Sequence, residues 1–567
     1  MLARRMLAAA GYNRQRAGAG AGAGIGIETG RGHPSAKGNM TGVDLKASGT
    51  PRKGDISPLA SAPPLLRFWQ RVPQAVIWIL LAGGALRIIF FFVGENAGVD
   101  ALARAQLTAS WLQHPDFRLV FGVWLPIHFW LMAGMALLVR HVGLAGRLLS
   151  LLLGIASLGA FWALAKEVYG APAAKFSLLV FALYGLHIGY STTSSSEAPY
   201  LFFVLAGMLC FFAYRRSGSH RILALGAAAL GVGAGIRYEA WLFIFAAFLV
   251  LLFLPAAAGS SGFRKAAHLR EVLLFGAIAG FWPALLMAYQ WKFYGMPLFG
   301  ATVNHSLVAE QLAAVPRSML YRLALFPGVI FLTLNPVVLA AALYGLARGF
   351  RRREGRDFAW IFLLVAATTG YEILAGGLLP LARYTLTLGC LLALAAGYGV
   401  EEVARFLSQR SAGRLRLAVG LLVVLNLCGI YALSRVPNRF NGKFRAISPQ
   451  LAFQPRVEGL GHYLKPKLGP NASVVIEDYE WDAGRIAHVI GLPLLPGSRL
   501  YVPSKDDMPG LLAYMKMKHP QYLICANRGA LRPMLRLAEG CSPAEAAGMS
   551  FRCVFENDTY RVYAIRY

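Results

Sequence analysis

The chain has 567 residues, of which 57% are hydrophobic and only 15% charged, yet it holds 56 Lys and Arg against 27 Asp and Glu, a net charge of +29. A soluble enzyme carries about 25% charged residues, and a disordered basic protein does not hold so much Leu, Val, Ile and Phe. Both are excluded, and the composition is that of a polytopic membrane protein. The basic excess suits nucleic acid, an anionic substrate or cytoplasmic loops, and its placement along the chain decides among them. Six cysteines without a CxxC or a His/Cys cluster argue against a structural metal or a disulfide scaffold. Among Cys525, Cys541 and Cys553 one disulfide can form without being required.

Residues 1–72 are rich in Gly, Ala, Ser, Pro, Lys and Arg and offer no apolar face to bury, so they read as a disordered basic N-terminal arm. No signal-peptide h-region opens the chain, and Met40 is a second candidate start. Residues 73–436 carry apolar runs near 74–94, 122–139, 144–164, 173–190, 198–214, 221–236, 239–255, 271–290, 325–347, 358–379, 381–400 and 416–434. Each is long enough, or nearly so, to cross the ~30 Å hydrocarbon core as a helix.

Basic clusters at Arg215, Arg216 and Arg221, at Arg264, Lys265 and Arg270, at Arg348 to Arg356, and at Arg405 to Arg416 fall in every second short loop. The positive-inside bias makes those loops cytoplasmic, so the charge serves topology and not nucleic acid. The loops near 95–121, 191–197, 237–239, 291–324 and 380–383 then face outward, with everything after residue 435. An inside N-terminus and an outside C-terminus need an odd number of crossings, whereas the runs number twelve. Either one run within 122–190 does not cross fully, or the stretch 291–335 hides another helix; the expectation is 11 to 13 spans.

Residues 437–567 change character. Short apolar runs at Val474 to Ile476, Tyr522 to Cys525 and Arg561 to Ile565 read as strands, with helices at Gly484 to Ile490 and Leu511 to Lys518 between them. The fold class is therefore mainly α, a transmembrane helical bundle with a C-terminal soluble α/β domain on the outer face.

The first outer loop, 95–121, carries an amphipathic stretch that opens at Asp100 and suits a helix lying at the membrane surface. Asp100 is either a helix cap or a carboxylate placed as general base for a hydroxyl nucleophile. Arg237, Lys292 and Arg383 stand at outer membrane boundaries, where a cation either snorkels or functions. Glu197 opens a span, as a favourable helix N-terminal carboxylate or a binding group. Glu239 either pairs with Arg237 across a turn or binds substrate, and His128 is either a bundle histidine or a binding group. Asp116 reads as a turn residue. The acids and aromatics from Glu477 to Asp482 read as a solvated loop or a sugar-binding edge. No Walker loop, GxGxxG or HExxH is present.

An Asp-opened surface helix followed by Trp124-Leu125-Pro126-Ile127-His128 resembles the type-C glycosyltransferase superfamily, in particular the bacterial family that includes the aminoarabinose and protein-mannose transferases. Further fragments follow in the family's order: Leu186-His187-Ile188 with Ser194-Ser195-Ser196-Glu197-Ala198, Ile236-Arg237-Tyr238-Glu239-Ala240-Trp241, Phe293-Tyr294-Gly295-Met296-Pro297 and Arg383-Tyr384. The family's second acid is Ala101 here, which fits a transfer without a cofactor or metal better than one using paired carboxylates. Arg104 lies one residue from the position where relatives carry Arg or Tyr beside the donor phosphate. The resemblance implies a membrane glycosyltransferase that moves a sugar from a polyprenyl-phosphate donor to a protein, lipid or polysaccharide acceptor of the cell envelope. It places the chemistry on the outer face of the cytoplasmic membrane, in a bacterial inner membrane. Asp100 is then the catalytic base; Arg383, Arg237, Lys292 and Arg104 face the donor phosphate; Glu197, His128 and Glu239 face substrate or acceptor. The rival is a transporter or lipid-linked sugar flippase, which predicts inverted repeats; the surface helix comes only once.

Overall fold

The computed structural model describes residues 72–93, 99–113, 115–121, 123–254, 262–314, 319–378, 381–435, 455–469, 472–477, 483–492, 500–501, 508–537, 542–546 and 548–567. The expected basic arm lies outside them, as do Asp478 to Asp482 and Cys541. In chain order the membrane part comprises α1 (Gln74–Val93), α2 (Val99–Gln113), α3 (Pro126–Val139), α4 (Val142–Tyr169), α5 (Ala171–Ala182), α6 (Gly185–Tyr190), α7 (Glu197–Ser217), α8 (His220–Ala234) and α9 (Glu239–Phe253). There follow α10 (Gly262–Tyr294), α11 (Phe299–Ala314), α12 (Met319–Gly349), α13 (Arg353–Ala375), a 3-10 turn (Ala382–Thr385), α14 (Leu386–Arg410) and α15 (Ala412–Arg435).

Among the described residues, eight helices are long and apolar enough to cross a membrane, and α3, α5, α8 and α9 are shorter apolar helices. Every apolar run expected from the sequence is a helix, but the run near 122–139 does not behave as a span. Ile127, at the start of α3, donates its N–H to Gly235 O (3.0 Å) in the turn that carries Arg237. Just past its end, Gly143 O accepts from Ser194 Oγ (3.0 Å), and Arg237 Nη1 reaches Ser196 Oγ (3.2 Å). Both ends of α3 thus meet the same set of loops, 191–197 and 235–237, so α3 lies across one end of the bundle beside α2. Counting the broken α5–α6 pair as one run and setting α3 aside leaves eleven of the twelve apolar runs. The stretch 291–335 does contain an additional helix, α11.

Local chemistry explains the breaks. Pro126 stands in the first turn of α3, where its missing N–H costs nothing. Inside α12, Asn335 adopts φ 57° and ψ 158° ahead of Pro336, since proline excludes a helical predecessor. Its Oδ1 accepts from Val338 N (3.0 Å), capping the second half-helix. Small residues set the tightest contact: a side chain at Gly345 would meet Ala395 O at 2.1 Å, and one at Gly399 would meet Ala341 O at 2.4 Å. α12 and α14 therefore approach backbone to backbone, the packing that replaces hydrophobic drive between helices in lipid.

The C-terminal part holds α16 (Pro455–Leu464), β1 (Val474–Ile476), α17 (Ala483–Ile490), β2 (Leu500–Tyr501), α18 (Met508–Lys518), β3 (Tyr522–Ala526), α19 (Leu531–Met534), β4 (Ala544–Ala546), β5 (Met549–Glu556) and β6 (Tyr560–Arg566). One six-stranded sheet runs β2-β1-β3-β6-β5-β4. β2, β1 and β3 are parallel, and β6, β5 and β4 are antiparallel. Strand alternation divides two cores: Val474, Ile476, Ile524 and Val562 pack with α16 and α17, while Val475, Leu523, Cys525 and Tyr563 pack with α18 and α19. Each fully buried aliphatic contributes about 1.5–3 kcal/mol relative to exposure. Glu477 is buried, with Oε2 accepting from Ala526 N and Oε1 from Leu531 N, both at 2.9 Å. That carboxylate closes a strand end and a helix start. Cys553 is disulfide-bonded and Cys525 is free.

Candidate functional site

Two positions far apart in sequence meet at one end of the bundle. α2 is held by a face of small residues: Ala101 and Ala103 are buried, and Ala105 and Ala109 pack with Met132, Ala136, Val142 and Ala145 of α3 and α4. Asp100 stands in the first turn of α2, where the helix dipole favours a carboxylate. Its Oδ2 forms an ion pair with Arg383 Nη1 from the 3-10 turn before α14, both side chains being half-buried. Arg383 Nη2 also donates to Tyr384 Oη (3.1 Å), and Arg383 Nε has no hydrogen-bond partner. The guanidinium therefore touches the carboxylate with one nitrogen and keeps a donor for another anion.

A second node surrounds Arg237, between α8 and α9. Nη1 donates to Glu197 Oε1 (2.7 Å) and to Ser196 Oγ (3.2 Å). Nε donates to both oxygens of Glu239 (3.1 Å each), and Nη2 also pairs with Glu239. Two carboxylates and a hydroxyl engage all three of its nitrogens, so Arg237 is spent on protein groups. It presents two glutamates more readily than it receives a phosphate.

Arg104, one helical turn after Asp100, is buried, with its guanidinium 5.2 Å from the Trp124 ring and 5.5 Å from the Phe129 ring. Nη1 has no hydrogen-bond partner. Burial pulls its pKa down to about 9, against Glu197 and Glu239, which pull it up. Such a cation gains from an arriving anion. His128 is fully buried in α3 with neither ring nitrogen hydrogen-bonded. Lys292 is exposed on α10, its ammonium 5.6 Å from the Phe293 ring, and nothing brings it into the Asp100 or Arg237 groups. Asp116 is exposed and pairs with Arg118, in keeping with a turn residue.

Residues that sequence reasoning passed over include Arg87 in α1 and Arg147 in α4, both buried; the segment Ser191 to Ser196, which the sequence reading placed in a loop, is buried throughout. A charged residue inside an apolar run was the available signal for the two arginines. Among the described residues, no three His, Cys, Asp or Glu side chains form a metal-binding group.

Residues 114–287 match the family model of dolichyl-phosphate-mannose-protein mannosyltransferases. The crystal structure of ArnT from Cupriavidus metallidurans bound to undecaprenyl phosphate aligns with a TM-score of 0.54 and 14% identity, over 86% of this chain and 97% of that one. Its apo form aligns with 0.52 and 14% identity, over 87% and 98%. The archaeal oligosaccharyltransferase AglB from Archaeoglobus fulgidus aligns at 0.48 with 12% identity, over 82% and 70%. No curated protein sequence matches significantly. The chain has the fold of the type-C glycosyltransferases, as the ordered fragments between Asp100 and Tyr384 implied.

Proposed function

We propose that this chain transfers one sugar from a polyprenyl-phosphate donor to an acceptor hydroxyl at the outer face of a bacterial cytoplasmic membrane, with a cytoplasmic N-terminus. The observation that carries the reading is the meeting of Asp100 and Arg383 from opposite ends of the membrane domain. The family-model match and the shared fold with a protein crystallised with undecaprenyl phosphate support it over a transporter or flippase.

In this mechanism Asp100 takes the proton of the acceptor hydroxyl as its oxygen bonds to the anomeric carbon. The bond from that carbon to the phosphate oxygen breaks, and the electron pair leaves on the polyprenyl phosphate. Arg383 and Arg104 stabilise the charge that develops there. A single displacement inverts the anomeric centre. Glu197 and Glu239, oriented by Arg237, accept hydrogen bonds from sugar or acceptor hydroxyls. His128 and Lys292 have the weaker claims, one fully buried near the charges of Arg104 and Arg237 and the other exposed. The reaction runs without metal. The α/β domain supports α2 from outside, since α17 packs against it, and helps to receive the acceptor.

Transfer by purified protein from a panel of polyprenyl-phosphate sugars to cell-envelope acceptors tests the reading. Asp100→Asn is expected to lose about 10²–10⁴-fold in rate, and chelator is expected to leave the wild type unaffected. Full activity of Asp100→Asn removes the base, and donor transport without transfer moves the protein to the flippase class.

A further inference from the structure

Arg87 lies in the apolar middle of α1 and is fully buried. Its contacts are backbone carbonyls and one imidazole. Nη1 donates to Gly83 O (2.8 Å) and Ala182 O (3.2 Å). Nη2 reaches Phe181 O (3.5 Å) and His187 Nδ1 (2.7 Å). Phe181 and Ala182 end α5, where helix carbonyls lack intrahelical donors and carry partial negative charge. Burying a guanidinium costs several kcal/mol unless its donors are satisfied; here the end of a broken span, with Gly83 O and His187, serves Nη1 and Nη2, while Nε has no partner. Gly83 lets the two backbones close, since a side chain there would meet Ala182 Cβ at 3.0 Å.

A second arginine repeats the arrangement nearer the outer surface. Arg147 of α4 donates from Nε to Thr192 O (2.8 Å) and from Nη2 to Phe91 O. Phe91 lies in the last turn of α1, and Thr192 lies in the buried polar segment before Glu197. Ser150 Oγ adds a bond to Ser195 O (3.1 Å). Between them the two guanidiniums join α1, which precedes Asp100, to the α5–α6 break and the Ser/Thr segment, which precede Glu197.

We propose that Arg87, with Arg147, is a positioning residue that sets Asp100 against Arg383 and Glu197 by bridging the end of α1 to the broken fifth helix. The inference rests on the reading of Asp100 as the base. The bridge needs a planar fork that spans carbonyls from different segments, which a lysine point charge does not supply. A 1 Å displacement of a base costs about 10²-fold in rate without weakening substrate binding.

The test compares Arg87→Lys and Arg87→Gln with wild type in donor-titrated transfer assays, on protein that elutes as a single species in detergent. Both variants are expected to lose at least tenfold in kcat while the donor KM stays within about threefold. Restoration of kcat by lysine shows that charge and not the bridge matters, and overturns the proposal; so does a loss confined to KM. Should the Arg87 variants not fold, His187→Phe and Ser150→Ala each remove one strut and are expected to lower kcat with unchanged KM. Wild-type kcat in both overturns the proposal. Asp100→Asn runs alongside: if it keeps full activity the functional reading fails by itself, whatever the Arg87 variants do.

Discussion

Replacing Arg237 with Met removes the cation between Glu197 and Glu239 and leaves both carboxylates where they are. The side chains of Arg237 and Glu197 are 12% and 5% exposed, while that of Glu239 is 35% exposed. The cost therefore falls on Glu197. Breaking a buried pair by removing one partner costs about 3–5 kcal/mol, and the half-open Glu239 contact adds about 0–1 kcal/mol. At the low end of about 2 °C per kcal/mol, the unfolding midpoint in detergent is expected to fall by roughly 5 °C or more. A double-mutant cycle with Glu197→Gln isolates the pair. The double variant recovers about 2 kcal/mol of the summed single losses, because the uncompensated charge has gone. An unchanged midpoint in Arg237→Met, or strict additivity in the cycle, refutes the assignment of Arg237 as a structural hub. A donor KM that rises at unchanged stability returns it to the phosphate clamp.

Two further outcomes follow from the geometry. Arg104→Met removes a buried cation that an arriving phosphate would meet and is expected to raise the donor KM by about tenfold or more; an unchanged donor KM in the variant refutes its role. Cysteine introduced at Arg140, just past α3, should react with a membrane-impermeant maleimide from the same side as cysteine at Gln113 in α2, and reaction from the opposite side restores α3 as a span.

Much of the fold was legible because lipid forces a simple code. Backbone groups in a bilayer must be satisfied within helices, so runs of apolar residues became helices at the expected places. The strands Val474–Ile476, Tyr522–Ala526 and Tyr560–Arg566 were equally visible as short buried runs. β5 was missed although Met549, Phe551 and Cys553 alternate on one face of it, the period-2 signal of a half-buried strand, before the irregularity that turns Phe555 to the other core. The parity conflict could be stated from charges but not resolved, since α3 is as apolar as a span and only its contacts at both ends reveal that it does not cross.

The candidate site divides in the same way. Residue type and order by themselves determined that this is a polytopic membrane chain with an acid-opened amphipathic helix after its first apolar run, and they picked out Asp100, Arg383, Arg237 and Glu197. These signals are local: an ionisable group at the edge of an apolar run is costly and stands out against its neighbours. Which charges touch was decided by tertiary structure alone. Pairing depends on the approach of helices separated by hundreds of residues, and it joined Asp100 to Arg383, gave Arg237 to two glutamates, left Lys292 exposed, and set Arg87 and Arg147 against carbonyls that a sequence does not display. The net +29 belongs to a multi-pass membrane protein; the buried arginines among those charges acquired roles only when packing supplied their partners.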